Sequence, residues 1–192
     1  MNKRYYHGSA AADIQALEPR SLLHGTADRV VYLTDHVPYA LLYIWDEQHN
    51  GRAGKYVTGW IKDGVACYDE QFPNQLQMFY QGVRGYLYTV EERDTVQPMA
   101  DRESLYYAKE QIPVTGVKAI PDVYAELLKY EAAGSFKVLR YLEQTAQRQN
   151  ELIDMIAEAI RRSGFYQDDE NEMHFMKKHF PSSWQRAEQT NQ

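Results

Sequence analysis

The sequence predicts an α+β fold: a mostly antiparallel sheet with short inserted helices, closed by two or more helices. Three observations carry that reading. Up to about residue 120, apolar residues come in short runs rich in Tyr, Val, Ile, Phe and Trp, bounded by Gly, Pro, Asn and Asp. Lys62-Asp63-Gly64 joins two such runs as a hairpin turn, because Gly permits positive φ. From Pro121 onward, Leu and Ile recur at helical spacing instead.

Residues 3–9 form the first expected strand, ended by Gly8-Ser9. Residues 10–17 alternate weakly and read as a helical turn or loop, and Pro19 breaks the pattern after them. A polar loop, residues 24–28, leads into a second strand at 29–34. Thr34 or Asp35 can cap a helix over 39–47, with Pro38 in its first turn. Strands follow at 56–61 and 65–68, then a short helix at 74–81 that Gly82 ends, then a strand at 85–90. Residues 91–102 are charged and hold Pro98, so they read as a loop. Residues 104–114 are strand-like and can continue through 117–120.

Pro121 and Asp122 suit a helix start. Residues 136–162 read as one long amphipathic helix, on Leu139, Leu142, Ala146, Leu152, Ile153, Ile156 and Ile160. Its charges read as a solvated face. The acidic run at 168–172 reads as mobile, and 174–184 as a short docked tail. The expected organisation is an α+β core over 1–120, helices packed on it over 121–164, and an acidic loop and tail over 165–192.

The 192 residues are 44% apolar and 25% charged, enough for one packed domain. A net charge of −6 argues against a scaffold held by nucleic-acid phosphates. A single cysteine, Cys67, forms no intramolecular disulfide and fits a reducing, cytoplasmic setting. No apolar run nears the ~18 residues of a membrane span, and no signal-peptide pattern follows Met1, so a membrane is not expected as a partner. His24, His36 and His49 are spaced by twelve and thirteen residues, which matches no metal-ligand motif, so no metal is expected. The 16 tyrosines suit half-buried strand positions and ring-binding clefts alike.

Two stretches carry polar residues that a plain core does not require. Tyr6-His7-Gly8-Ser9 places a His before a Gly-Ser turn, and Val30-Val31-Tyr32-Leu33-Thr34 places a Tyr among aliphatics. They read as two walls of one small-molecule pocket. Taken alone, His7 suits a satisfied strand end, and Tyr32 and Tyr43 suit the core; their combination favours a site.

Tyr6-His7-Gly8-Ser9 resembles the first motif, His-Gly-Ser/Thr, of the ADP-ribosyltransferase fold in its diphtheria-toxin and poly(ADP-ribose) polymerase branch. Val31-Tyr32-Leu33-Thr34 is similar to that branch's second motif, a Tyr on a strand entering a helix. In the polymerases a second Tyr follows eleven residues on, and here that position is Tyr43. The third motif, a Glu opening a later strand, is best matched by Glu110 in Lys109-Glu110-Gln111-Ile112; Glu103 competes, and Gln111 is a third choice. Ala40 stands where the polymerases carry a Ser that holds the nicotinamide amide, and Asp28-Arg29-Val30 replaces their glycine-rich approach to the Tyr. The resemblance covers residues 5–46 and 103–120.

It implies a split antiparallel sheet of the ADP-ribosyltransferase type and NAD as substrate, with no resident cofactor. It implies transfer of ADP-ribose to an acceptor, a protein among the candidates, or hydrolysis of NAD. Cleavage expels neutral nicotinamide and leaves an oxocarbenium-like ribose, which calls for an aromatic clamp, a ribose partner and a carboxylate. Tyr32 and Tyr43 would clamp the ring. His7 would donate to the ribose, the Gly8 backbone would approach the nicotinamide amide, and Ser9 would complete the motif. Glu110 would hold a ribose hydroxyl and orient the nucleophile. The alternative is a binding or interaction module that keeps this fold without catalysis.

Overall fold

The computed structural model describes residues 3–46, 49 and 58–189. In chain order the first strands are β1 (Arg4–Ser9), β2 (Ala16–Leu17), β3 (Ser21–Leu22) and β4 (Arg29–Thr34), followed by helix α1 (Val37–Leu41). Then come β5 (Gly59–Lys62), β6 (Val65–Asp69), α2 (Gln75–Tyr80), β7 (Gly85–Glu91), β8 (Gln97–Pro98), β9 (Leu105–Ala108), β10 (Ile112–Pro113) and β11 (Gly116–Ile120). The chain closes with α3 (Val123–Ala132), β12 (Phe136–Leu139), α4 (Ala146–Arg162), α5 (Glu170–His179) and α6 (Pro181–Gln189). The fold is α+β.

The larger sheet is antiparallel, in the order β11-β7-β1-β4-β9-β8, with β3 added on β4. Alternation along β1 and β4 splits the side chains between two cores. Tyr5, Val31 and Leu33 pack with Tyr88, Val90 and Ile112 on one face. Tyr6 packs on the other, where α1, the smaller sheet and the closing helices meet. β1 pairs with β7 at six positions, Arg4↔Glu91 to Ser9↔Tyr86. It pairs with β4 at one, Tyr6↔Thr34. Beyond that pair the two strands part.

The smaller sheet runs β12-β6-β5. Its β5–β6 hairpin turns at Asp63 and Gly64, with φ of 52° and 73° as the sequence signal requires. β12 joins β6 in parallel, Phe136↔Ala66 to Leu139↔Asp69. Residues 136–162 are therefore not one helix. Phe136 and Val138 are buried and Lys137 is exposed, a period of two that four residues are too few to announce. A 3₁₀ turn, Tyr141–Glu143, separates this strand from α4, which Thr145 caps through Arg148 N. Leu142, counted toward the helical pattern, is exposed.

The expected strand over 104–120 is three pieces: β9 on β4, β10 on β2, and β11 on β7. The expected loop at 91–102 contains β8, paired with β9. The helix expected over 39–47 is α1, which begins earlier and ends at Leu41; residues 47 and 48 lie outside the described residues, as do 56 and 57 of an expected strand. Its N-cap is His36 rather than Thr34 or Asp35, and Thr34 Oγ1 instead accepts from His36 N at 3.1 Å. Asp122 caps α3 by accepting from Ala125 N at 2.9 Å.

The acidic run at 168–172 leads into a helix, where the sequence reads as a loop. Asp169 accepts from Glu172 N at 3.2 Å, and Glu170 and Glu172 sit in the first turn of α5, where helix partial charge is positive. α6 follows after Phe180 and packs against α4. Among the described residues, no helix is long and apolar enough to cross a membrane.

Candidate functional site

A cavity of about 370 Å³ opens where β1 and β4 part. β1 contributes Tyr6, His7 and Gly8, and β4 contributes Tyr32, Leu33 and Thr34. α1 and the turn after it contribute Tyr39, Ala40 and Tyr43. Ser21 and His24 close one side; Met99, Arg102 and Leu105 close another.

His7 Nδ1 lies 3.0 Å from the Tyr32 carbonyl oxygen. A carbonyl can only accept, so Nδ1 carries the proton. Burial pushes the His7 pKa below its ordinary value, and the bond to Tyr32 only partly opposes this. His7 is therefore neutral near pH 7, and its Nε2 is an acceptor. A ribose hydroxyl would donate to His7, the reverse of the polarity that the sequence suggested.

Tyr32 is fixed at its far end. Its hydroxyl donates to the Leu22 carbonyl at 2.9 Å and accepts from His24 N at 3.2 Å. Tyr43 is 52% exposed, so its ring is open to a ligand. Its hydroxyl meets that of Tyr39 at 3.0 Å, and the two rings lie 5.4 Å apart at 56°. Tyr39 is buried, and burial pushes its phenol well above the ordinary value, so it stays a neutral donor.

Gly8 has a packing reason as well, which the sequence did not suggest. A Cβ there would sit 2.0 Å from the Ala40 carbonyl oxygen and 3.0 Å from Ile44 Cγ1. The missing side chain lets α1 lie directly on β1, with Tyr39, Tyr43 and His7 all lining the same cavity. Ala40, buried to 2% exposure, is part of that contact.

Ser9 and Glu110 do not line this cavity. Ser9 Oγ accepts from Ala11 N at 3.2 Å and closes the turn after β1. Glu110 is exposed, on the bend between β9 and β10. The cavity takes Leu105 from the opposite end of β9, and Glu110 lies past the other end of that strand. Gln111 also lies outside the lining.

Glu103, the competing carboxylate, borders the site without lining it. Its oxygens accept from Gly64 N at 2.9 Å and Asp63 N at 3.2 Å, which ties the β5–β6 turn to the segment before β9. It lines a neighbouring cavity of about 340 Å³ that shares Tyr39, Arg102 and Leu105 with the first. No Asp or Glu lines the first cavity among the described residues.

Behind the site, Asp35 accepts from His36 Nδ1 at 2.8 Å, Lys3 Nζ at 2.9 Å and the Tyr106 hydroxyl at 2.9 Å. Burial disfavours its charge, but the donors from Lys3, His36 and Tyr106 outweigh that and hold it at about 2. His36 Nε2 reaches the Gly64 carbonyl at 3.0 Å. His24 lines the cavity and His49 is exposed, so the three histidines stand in three places. Among the described residues, no three His, Cys, Asp or Glu gather as a metal site.

The structure thus brings His7, Gly8, Tyr32 and Tyr43 together and leaves Ser9 and Glu110 apart. Sequence reasoning missed Arg102 and Tyr39. Arg102 forms no ion pair among the described residues and leaves a cation at the rim; it sits in a stretch that reads only as a charged loop. Tyr39 had a signal, its four-residue spacing from Tyr43. Arg20 and Arg29, the cations considered from sequence, bind Glu18 and the Arg20 carbonyl instead. No family model, curated protein or solved structure matches the chain.

Proposed function

We propose that this chain is an ADP-ribosyltransferase-like protein that binds NAD in the cavity between β1 and β4. One observation carries the reading: His7, Tyr32 and Tyr43, separated along the chain, line a single cavity of a size to hold the nicotinamide ribose end. Tyr43 offers an open ring face to nicotinamide. The neutral His7 Nε2 accepts from a ribose hydroxyl. Arg102 supplies positive charge for the diphosphate. The reaction would break the ribose–nicotinamide bond, release neutral nicotinamide, join the ribose carbon to an acceptor oxygen or nitrogen, and give the acceptor's proton to solvent. Water as acceptor gives free ADP-ribose; a protein side chain gives a modified partner.

A second reading is favoured by the lining itself. An oxocarbenium-like ribose needs a carboxylate, and none lines this cavity among the described residues. On that reading the chain is a binding module that holds NAD without cleaving it.

The test is calorimetric titration with NAD and with nicotinamide, coupled to chromatography for released nicotinamide. Saturable binding that His7→Asn weakens supports the site, and nicotinamide release separates enzyme from binder. No binding of either compound at millimolar concentration would sink both readings.

A further inference from the structure

A different cavity, of about 380 Å³, lies where α5 passes into α6, over α4 and the turn before α2. Phe72, Ile153, Ile156 and Phe180 form its apolar side. Lys178, Ser182 and Ser183 line it as well, and no Asp or Glu does among the described residues. Lys178 makes no ion pair among the described residues, whereas its neighbour Lys177 lies 4.9 Å over the Trp184 ring.

The start of α6 leaves donors without acceptors. Pro181 has no N–H, and the first amide to reach back along this helix is Trp184 N, 2.9 Å from the Phe180 carbonyl. The amides of Ser182 and Ser183 therefore have no intrahelical acceptor, and the Phe180 side chain has no oxygen to cap them. A separate observation points the same way. Ser183 is only 2% exposed, lines this cavity, and its hydroxyl has no hydrogen-bond partner among the described residues. That hydroxyl shares the cavity lining with the start of α6, where two amides lack intrahelical acceptors and the helix end is positive, and with the Lys178 side chain.

We propose that this cavity is a second ligand site, for a phosphomonoester of an apolar, flat alcohol. A phosphate offers three acceptor oxygens and about two negative charges, which match the Ser182 and Ser183 amides, the Ser183 hydroxyl and Lys178. The ester group lies against Phe72, Ile153, Ile156 and Phe180. This assignment is independent of NAD binding, because the two cavities share no residue.

The probe is phenyl phosphate, titrated into the full chain and followed by calorimetry, with inorganic phosphate and benzyl alcohol as comparisons. The expected result is one saturable site, with phenyl phosphate bound at least tenfold more tightly than either comparison. Ser183→Ala and Lys178→Gln each weaken it about tenfold without lowering the unliganded melting temperature. Lys178 is exposed, so if Ser183→Ala fails to fold, Lys178→Gln decides. No binding at millimolar concentration, variants that bind like wild type, or benzyl alcohol binding as well as phenyl phosphate would each overturn the site. Inorganic phosphate binding equally well would overturn the aryl ester as its ligand. Displacement of phenyl phosphate by NAD would overturn it too, by placing the probe in the first cavity.

Discussion

The His7 imidazole donates through Nδ1 to the Tyr32 carbonyl, 3.0 Å away, across the opening where β1 and β4 cease to pair. A side chain stands where a backbone amide would otherwise complete the ladder. The bond ties β1 to β4 beyond their last backbone pair and leaves Nε2 unprotonated. The two roles can be separated. His7→Ala leaves the Tyr32 carbonyl unpaired and should cost about 1–3 kcal/mol in urea unfolding. His7→Asn keeps a donor near the Nδ1 position but no ring acceptor. It should fold like wild type while losing about tenfold in NAD affinity.

The same bond sets a pH dependence for binding. Burial lowers the folded-state pKa of His7 below 6.5. Binding that uses Nε2 as acceptor should weaken toward acid as His7 takes up a proton, with the loss setting in at lower pH than for an ordinary histidine. His7→Asn should remove that acid limb. An affinity that rises as His7 protonates would contradict the acceptor role.

Gly8 should tolerate no side chain. A Cβ would lie 2.0 Å from the backbone oxygen of Ala40, which cannot swing aside without moving α1. Gly8→Ala should cost at least about 3 kcal/mol, measured as a shift in urea midpoint. By contrast, Gly82 has open space around it and φ of 78°, so Gly82→Ala should cost only about 1 kcal/mol of left-handed strain.

Asp35 should dominate part of the acid unfolding limb. Its folded pKa of about 2 lies below the ordinary 3.8. A depressed carboxylate contributes stability that is complete above the ordinary value and lost as pH falls from about 4 through 2. Urea midpoints measured from pH 6 down to 2 should therefore fall less steeply for Asp35→Asn than for wild type. Parallel curves would show that the Lys3, His36 and Tyr106 donors do not favour the charged form.

The first strand, the second at 29–34, the hairpin, the helix before Gly82 and the strand after it were legible because residues with a local physical reason bound them, Pro38, Asp63-Gly64 and Gly82 among them; β2 and β3, within and after a stretch that reads as a turn or loop, were not, because two residues show no alternation. A split sheet entered only as what the resemblance implies; the place where β1 parts from β4 depends on β1 choosing β7, a long-range preference that neither strand carries locally. β12 was hidden for a related reason: its partner β6 lies some 70 residues earlier. For the site, His7, Tyr32 and Tyr43 could be paired from motif spacing. Arg102 could not, because only the β8–β9 pairing returns that segment to the cavity mouth.

Arg102 and Glu110 give the sharpest contrast between position in the chain and position in space. Glu110 fits a motif but is exposed beyond the far end of β9. Arg102 fits none but lines the cavity, with no ion pair among the described residues. If the diphosphate lies at that rim, Arg102→Ala should weaken NAD by about tenfold, the cost of a lost charged hydrogen bond. It should leave nicotinamide affinity unchanged, because nicotinamide has no phosphate. The NAD deficit should shrink as salt rises, since screening weakens the wild-type contact and not the variant. Glu110→Ala should match wild type in NAD affinity and in nicotinamide release. Equal loss of NAD and nicotinamide in Arg102→Ala would mean that the arginine shapes the ring pocket and meets no phosphate. A Glu110→Ala variant that binds NAD but releases no nicotinamide would mean that β9 and its following bend close over the cavity when the ligand is bound.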